Sequence, residues 1–132
     1  MNDKKVWLVT GASRGLGAEI VKAALASGGK VAAAVRHPEK FSLESPFSEN
    51  FYVVQLDVTN EAMSKKAVEE TLARFGTIDI LVNNAGYGIL GAVDEADEEE
   101  IRGNFETNVF GTLRMVRAVL PVMRKNRSGH II

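Results

Sequence analysis

The chain has 132 residues, 45% of them hydrophobic, with no cysteine and with 16 basic against 17 acidic residues for a formal charge of −1. That is enough apolar material for one real core, and it excludes a disordered chain, a disulfide scaffold, a thiolate nucleophile and cysteine-bearing zinc sites. The balanced charge draws neither nucleic acid nor an anionic membrane, and no secretory pattern follows the polar Met1 to Lys5, so a soluble, cytoplasmic protein is expected.

Val6 to Thr10 is a short β-rich apolar run, as for a strand buried on both faces. The turn Gly11-Ala12-Ser13-Arg14-Gly15-Leu16-Gly17 follows, then a helix to about Ser27 with Ile20, Val21, Ala24 and Leu25 on one face. Ser27-Gly28-Gly29 ends that helix, and Lys30 to Val35 reads as a second strand. His37 to Asn50, with Pro38, Pro46 and several serines, yields no firm element, though a short helix stays open.

Phe51 to Leu56 reads as a third strand. Thr59 or Asn60 can cap the next helix, which carries Ala62, Met63, Ala67, Val68, Leu72 and Phe75 inward and stops at Gly76. Ile78 to Val82 is a fourth strand, ending in Asn83-Asn84-Ala85-Gly86. The acidic stretch Asp94 to Gly103 starts a helix. Phe105 to about Arg124 reads as a long helix with Phe105, Val109, Leu113, Val116, Leu120 and Met123 inward. Pro121 should kink or shorten it, Ser128-Gly129 break it, and His130-Ile131-Ile132 open a fifth strand.

Strands alternating with helices predict a doubly wound α/β fold around a parallel sheet. Natural termini seldom fall inside a buried strand, so a fold truncated near its fifth strand is expected.

Three glycines in a strand–turn–helix setting suit a phosphate site. Gly11 can adopt angles barred to other residues, and Gly15 and Gly17 permit close approach. The N–H groups and dipole of the helix start favour a pyrophosphate. The spacing Gly-x-x-x-Gly-x-Gly differs from the common Gly-x-Gly-x-x-Gly, and a ligand-free turn would look much the same. Asp57-Val58 follows the third strand, at the sheet edge where nucleotides bind; a plain turn residue is the alternative. Asn83-Asn84 is equally compatible with a simple turn. Asn108 lies among helix formers, where asparagine is mildly unfavourable unless it has a task or faces solvent.

Together these residues resemble the short-chain dehydrogenase/reductase family. Its glycine motif is similar to Thr10 to Gly17, its Asp-Val adenine contact to Asp57-Val58, its Asn-Asn-Ala-Gly signature to Asn83 to Gly86, and its catalytic helical asparagine to Asn108. The resemblance implies a Rossmann-like fold, with residues 1–132 as one NAD(P)-binding domain. It implies that Gly11, Ser13, Arg14, Gly15, Leu16 and Gly17 lie along pyrophosphate and ribose, that Asp57 and Val58 hold adenine, and that Asn84, Ala85 and Gly86 line the path to the nicotinamide ribose. An alcohol or carbonyl substrate and a homo-oligomer through helix 105–124 are implied as well.

An acid closing the second strand would repel a 2′-phosphate. Here the strand ends in Arg36, with no acid before Glu39, and Arg14 adds a second cation. NADP(H) is therefore expected over NAD(H).

The family's chemistry further needs a serine, a tyrosine and a lysine beyond the fifth strand. Tyr87 has Gly91, not lysine, four residues on, and Tyr52 sits in a predicted strand. The chain by itself is thus expected to be inactive. Three readings stay open: the cofactor-binding part of an NADP(H)-dependent oxidoreductase, an inert nucleotide-binding or interaction fragment, and another Rossmann-like class such as a methyltransferase.

Overall fold

A computed structural model describes residues 4–41 and 48–132. Met1 to Asp3 and residues 42–47, the middle of the stretch where a short helix is left open, lie outside the described residues. Pro38–Lys40 and Ser48–Asn50 form short 3₁₀ turns.

Five parallel strands make one sheet: β1 (Val6–Thr10), β2 (Lys30–Val35), β3 (Phe51–Gln55), β4 (Ile80–Val82) and β5 (His130–Ile131), in the order β3-β2-β1-β4-β5. The chain builds outward from β1 to β3, then returns to place β4 on the other side of β1. Ligands of such sheets bind at the carboxyl ends of the strands where the order reverses, here between β1 and β4. The doubly wound Rossmann-like sheet expected from the sequence is present.

Both faces are covered over β1, β2 and β4, which is why these strands read as unbroken apolar runs, whereas β5 is exposed. On one face Leu8, Ala32, Ala34, Val54 and Leu81 meet Ala67, Val68, Met115, Val119 and Met123. On the other, Val9, Val31, Ala33, Val35 and Val82 meet Val21, Ala24 and Leu25 of α1 (Gly15–Ala26). Alternate residues of β1 and β2 thus serve opposite cores, as a period of two requires.

Helix α2 (Glu61–Phe75) is capped by Asn60 rather than Thr59: its side chain accepts from the Met63 N–H, and Gly76 closes the helix at φ 82°. Its inner stripe contains Ser64 and Thr71, while Ala62 is exposed, contrary to the sequence reading. The two hydroxyls tolerate burial because they donate back to the carbonyls of Asn60 and Ala67. β4 starts at Ile80, later than expected, although Ile78 is fully buried.

The last helical stretch departs most from expectation. Asp97 opens α3 (Glu98–Phe105) with a reciprocal capping box to Glu100. A π turn over Glu106–Gly111 follows, then α4 (Thr112–Asn126). Met115, Val119 and Met123 face the sheet, and Gly111 packs against Val58. Phe105, Val109 and Leu113, expected inward, are 55%, 43% and 50% exposed. Of the other expected inward residues, Val116 is only partly buried against the core and Leu120 is half-buried. Two causes act together. The helix carries two apolar stripes, and the π turn breaks the 3.6-residue period, so one stripe cannot be extrapolated across it.

Pro121 does not shorten α4; its ring is exposed and the helix continues to Asn126. The end is Arg127 at φ 52°, not Ser128-Gly129. Gly129 is instead required by packing, since a β-carbon there would collide with the Met123 side chain. Among the described residues no helix is long and apolar enough to cross a membrane.

Candidate functional site

Beyond β1 the chain turns sharply, with Gly11 at φ 60° and Gly15 at φ 56°. These are left-handed angles that disfavour a side chain. The Ala12 N–H donates to the Ala34 carbonyl at 3.2 Å, which sets the turn beside the end of β2. Arg14 stands at the start of α1 with no side-chain cap, so the first-turn N–H groups have no side-chain acceptor. The space over Gly15 is open. Ser13, Arg14, Gly15 and Leu16 are exposed, Leu16 to 71%. An open glycine cradle at an uncapped helix start fits an anionic group.

Thr10 ties this turn to β4. Its buried hydroxyl donates to the Val82 carbonyl at 3.3 Å and accepts from the N–H groups of Asn84 and Ala85 at 3.1 and 3.0 Å. The Asn84 side chain returns the link, donating to the carbonyls of Thr10 and Gly11 at 3.2 and 3.0 Å. Gly17 sits beneath, where a β-carbon would strike the Gly11 carbonyl. The asparagine signature and the glycine turn are therefore one hydrogen-bonded knot.

Asp57 follows β3 and is partly buried. Its Oδ1 accepts from both the N–H and the hydroxyl of Thr59, at 2.9 and 2.7 Å. Burial pushes this carboxyl up, but the two Thr59 bonds and the nearby Arg36 guanidinium outweigh burial and hold it below the ordinary carboxylate range. Asp57 is thus an anion beside an exposed Arg36, and Gln55 donates to the Arg36 carbonyl at 3.4 Å. Val58 is buried behind it.

Asn108 lies in the π turn, and its side chain pairs with the backbone of Tyr87. Oδ1 accepts from the Tyr87 N–H at 3.0 Å, and Nδ2 donates to the Tyr87 carbonyl at 2.7 Å. Gly86 leaves room for this, since a β-carbon there would lie 3.0 Å from Oδ1. Asn104 donates to the same Tyr87 carbonyl at 2.7 Å. The Thr112 N–H donates to the Val109 carbonyl, and its hydroxyl donates to the Asn108 carbonyl at 2.9 Å. An asparagine in mid-helix has a reason here: it fixes the loop that leaves β4.

The structure thus gathers Gly11, Gly17, Asn84, Ala85, Gly86 and Asn108 around the ends of β1 and β4. Arg36, Asp57 and Val58 lie along the ends of β2 and β3. Asn104 is a contributor that the sequence does not single out, and it carries no local signal; Thr10 is named there only as the first residue of the glycine motif. Among the described residues no acidic or histidine cluster suited to a metal occurs.

The profile described as short chain dehydrogenase matches residues 5–132. Oxidoreductase BOA17 of Botryotinia fuckeliana is 41% identical over 129 residues, which are 96% of this chain and 47% of that protein. The crystal structure of a short-chain dehydrogenase from Streptomyces avermitilis superposes with a TM-score of 0.92 at 42% identity, over 98% of this chain and 48% of that one. ElxO with NADP bound gives a TM-score of 0.90 at 32% identity, over 97% and 54%. The chain spans about half the length of the curated relatives it matches.

Proposed function

We propose, from the premise that this chain belongs to the short chain dehydrogenase family, that it is the cofactor-holding part of an oxidoreductase acting between NADP(H) and an alcohol or carbonyl. The observation that carries this reading is the convergence of an uncapped, glycine-lined helix start, the Asp57 carboxylate and the Asn84–Asn108 loop on one edge of the sheet.

In this reading the N–H groups and glycines from Gly11 to Gly17, with Ser13, Arg14 and Leu16, receive pyrophosphate and ribose. Asp57, kept ionised by Thr59 and Arg36, accepts from the adenine amino group with Val58 beside it. Asn84, held on the glycine turn, keeps Ala85 and Gly86 in place against the nicotinamide ribose. When bound, the nicotinamide supplies or accepts the hydride. Asn108 holds the Tyr87 backbone, and with it the floor under the reacting groups.

Arg36 and Arg14 are read as the 2′-phosphate contacts. Arg36 ends β2, where an acid would reject that phosphate, and a related structure, ElxO, holds NADP. Neither Tyr52 nor Tyr87 has a lysine four residues on, so this chain alone binds without turnover. Self-association through the outer face of the 105–124 helix and a cytoplasmic location complete the reading.

Calorimetric titration of the chain with NADPH and NADH tests it. Tighter NADPH binding, reversed by Arg36→Asp, is expected. Equal affinities in the unaltered chain would remove the selector role of Arg36, and binding of neither by a folded chain would remove the cofactor reading.

A further inference from the structure

The π turn that carries Asn108 is bolted to the turn that carries Asp57 and Val58. Gly111, its last residue, is buried so tightly that a β-carbon would lie 2.6 Å from Cγ2 of Val58. Arg114, one turn on, donates through Nη1 to the Val58 carbonyl at 3.3 Å. Through Nη2 it pairs with Glu106, the first residue of the π turn. Its side chain is 22% exposed, and Glu106 is 39% exposed.

Glu106 and Arg114 stand eight positions apart, outside the three- and four-residue spacings that bring side chains together on a regular helix. The pair brackets the π turn from both ends. A planar fork reaching a carboxylate with one arm and a carbonyl with the other is a task for arginine; a lysine ammonium would have to choose. The helix is thereby fastened to the β3–α2 turn at the one place where its regular pattern is broken.

We propose that Arg114 is a positioning residue that couples the adenosine end of the site to Asn108. A ligand that orders Asp57 and Val58 orders the π turn through Arg114 and Gly111, and so steadies the Asn108 clamp on Tyr87. The inference rests on the nucleotide reading above and adds to it a route between the two ends of the site. Such coupling requires a packed two-sided contact, which the Val58–Gly111 and Val58–Arg114 contacts supply.

The test is amide hydrogen exchange on the full chain, free and saturated with adenosine 2′,5′-bisphosphate, which has no nicotinamide end. In the unaltered chain the bisphosphate slows exchange over residues 106–112 by about fivefold, the scale of a modest coupling between sites. In Arg114→Leu it still binds and still protects residues 11–17, but protection over 106–112 is lost. Glu106→Gln, which keeps an acceptor and loses the charge, falls between; were Arg114→Leu not to fold, this variant decides alone. Full protection of 106–112 in the variants, or none in the unaltered chain with bisphosphate bound, overturns the coupling. No bisphosphate binding by a folded chain overturns the nucleotide reading and the coupling together.

Discussion

Gly17 and Asn84 approach so closely that a β-carbon on the glycine would lie 2.5 Å from the asparagine amide nitrogen. That nitrogen is already committed to the carbonyls of Thr10 and Gly11. Gly17→Ala must therefore push Asn84 off the turn, an overpacking cost of about 1–3 kcal/mol. Gly15→Ala has open space and faces only its left-handed φ of 56°, a cost of about 1 kcal/mol. Urea unfolding of both variants checks the order; a Gly15→Ala more destabilised than Gly17→Ala would contradict it.

Asn108→Asp keeps the acceptor for the Tyr87 N–H but removes the donor to the Tyr87 carbonyl. A carboxylate then faces that carbonyl; both residues are exposed, so water meets the unpaired groups and the loss is about 0.5–1.5 kcal/mol, the net worth of one hydrogen bond. Amide exchange at Tyr87 and Gly88 should quicken, and further in Asn104→Ala/Asn108→Asp, because Asn104 shares the carbonyl. Unchanged exchange in the double variant would show that the clamp does not hold the loop.

The folded-state pKa of Asp57 is depressed, so its ionisation favours the folded chain. That stabilisation is complete above the unfolded value of about 4 and is lost as pH falls through the lower folded value. The stability difference between the unaltered chain and Asp57→Asn should be constant from about pH 5 to 7 and shrink toward about pH 3. Urea midpoints across that range measure it, and a difference that grows with acid would reverse the sign assigned here.

Phe105, Val109, Phe110 and Leu113 put a contiguous apolar face on the surface, the kind of patch that drives association. Leu113→Glu and Phe105→Glu lie away from the sheet and should leave the thermal midpoint within a few degrees while lowering the sedimentation-average mass. A chain that is monomeric before substitution would remove the self-association reading.

The sequence announced most of the sheet because buried parallel strands are nearly unbroken apolar runs, and β1 and β2 fall where the apolar runs fall. Glycine and asparagine were legible as constrained positions because each is costly where it stands unless a turn, a close approach or a hydrogen bond requires it. Gly11 and Asn108 illustrate both cases. The inward face of the last helix was not legible, since Met115, Val119 and Met123 compete with an equally apolar outer stripe across a π turn. Nor was the brace from Arg114 to Val58, whose partners are 56 positions apart, or the bond from Asn84 to Thr10 across 74. Such bonds leave no periodic trace.

The central position of β1 also fixes an order of events during synthesis. Its pairing with β2 can form once Val35 has left the ribosome, but its other edge must wait for Ile80 to Val82. Until then the nascent chain carries an unpaired parallel edge, a slow and aggregation-prone stage for a non-local topology. The glycine turn lacks its Asn84 bonds over the same interval. A ribosome-bound chain stopped before Asn84 should thus have the sequence of the glycine turn without its shape, and would gain that shape only when β4 docks.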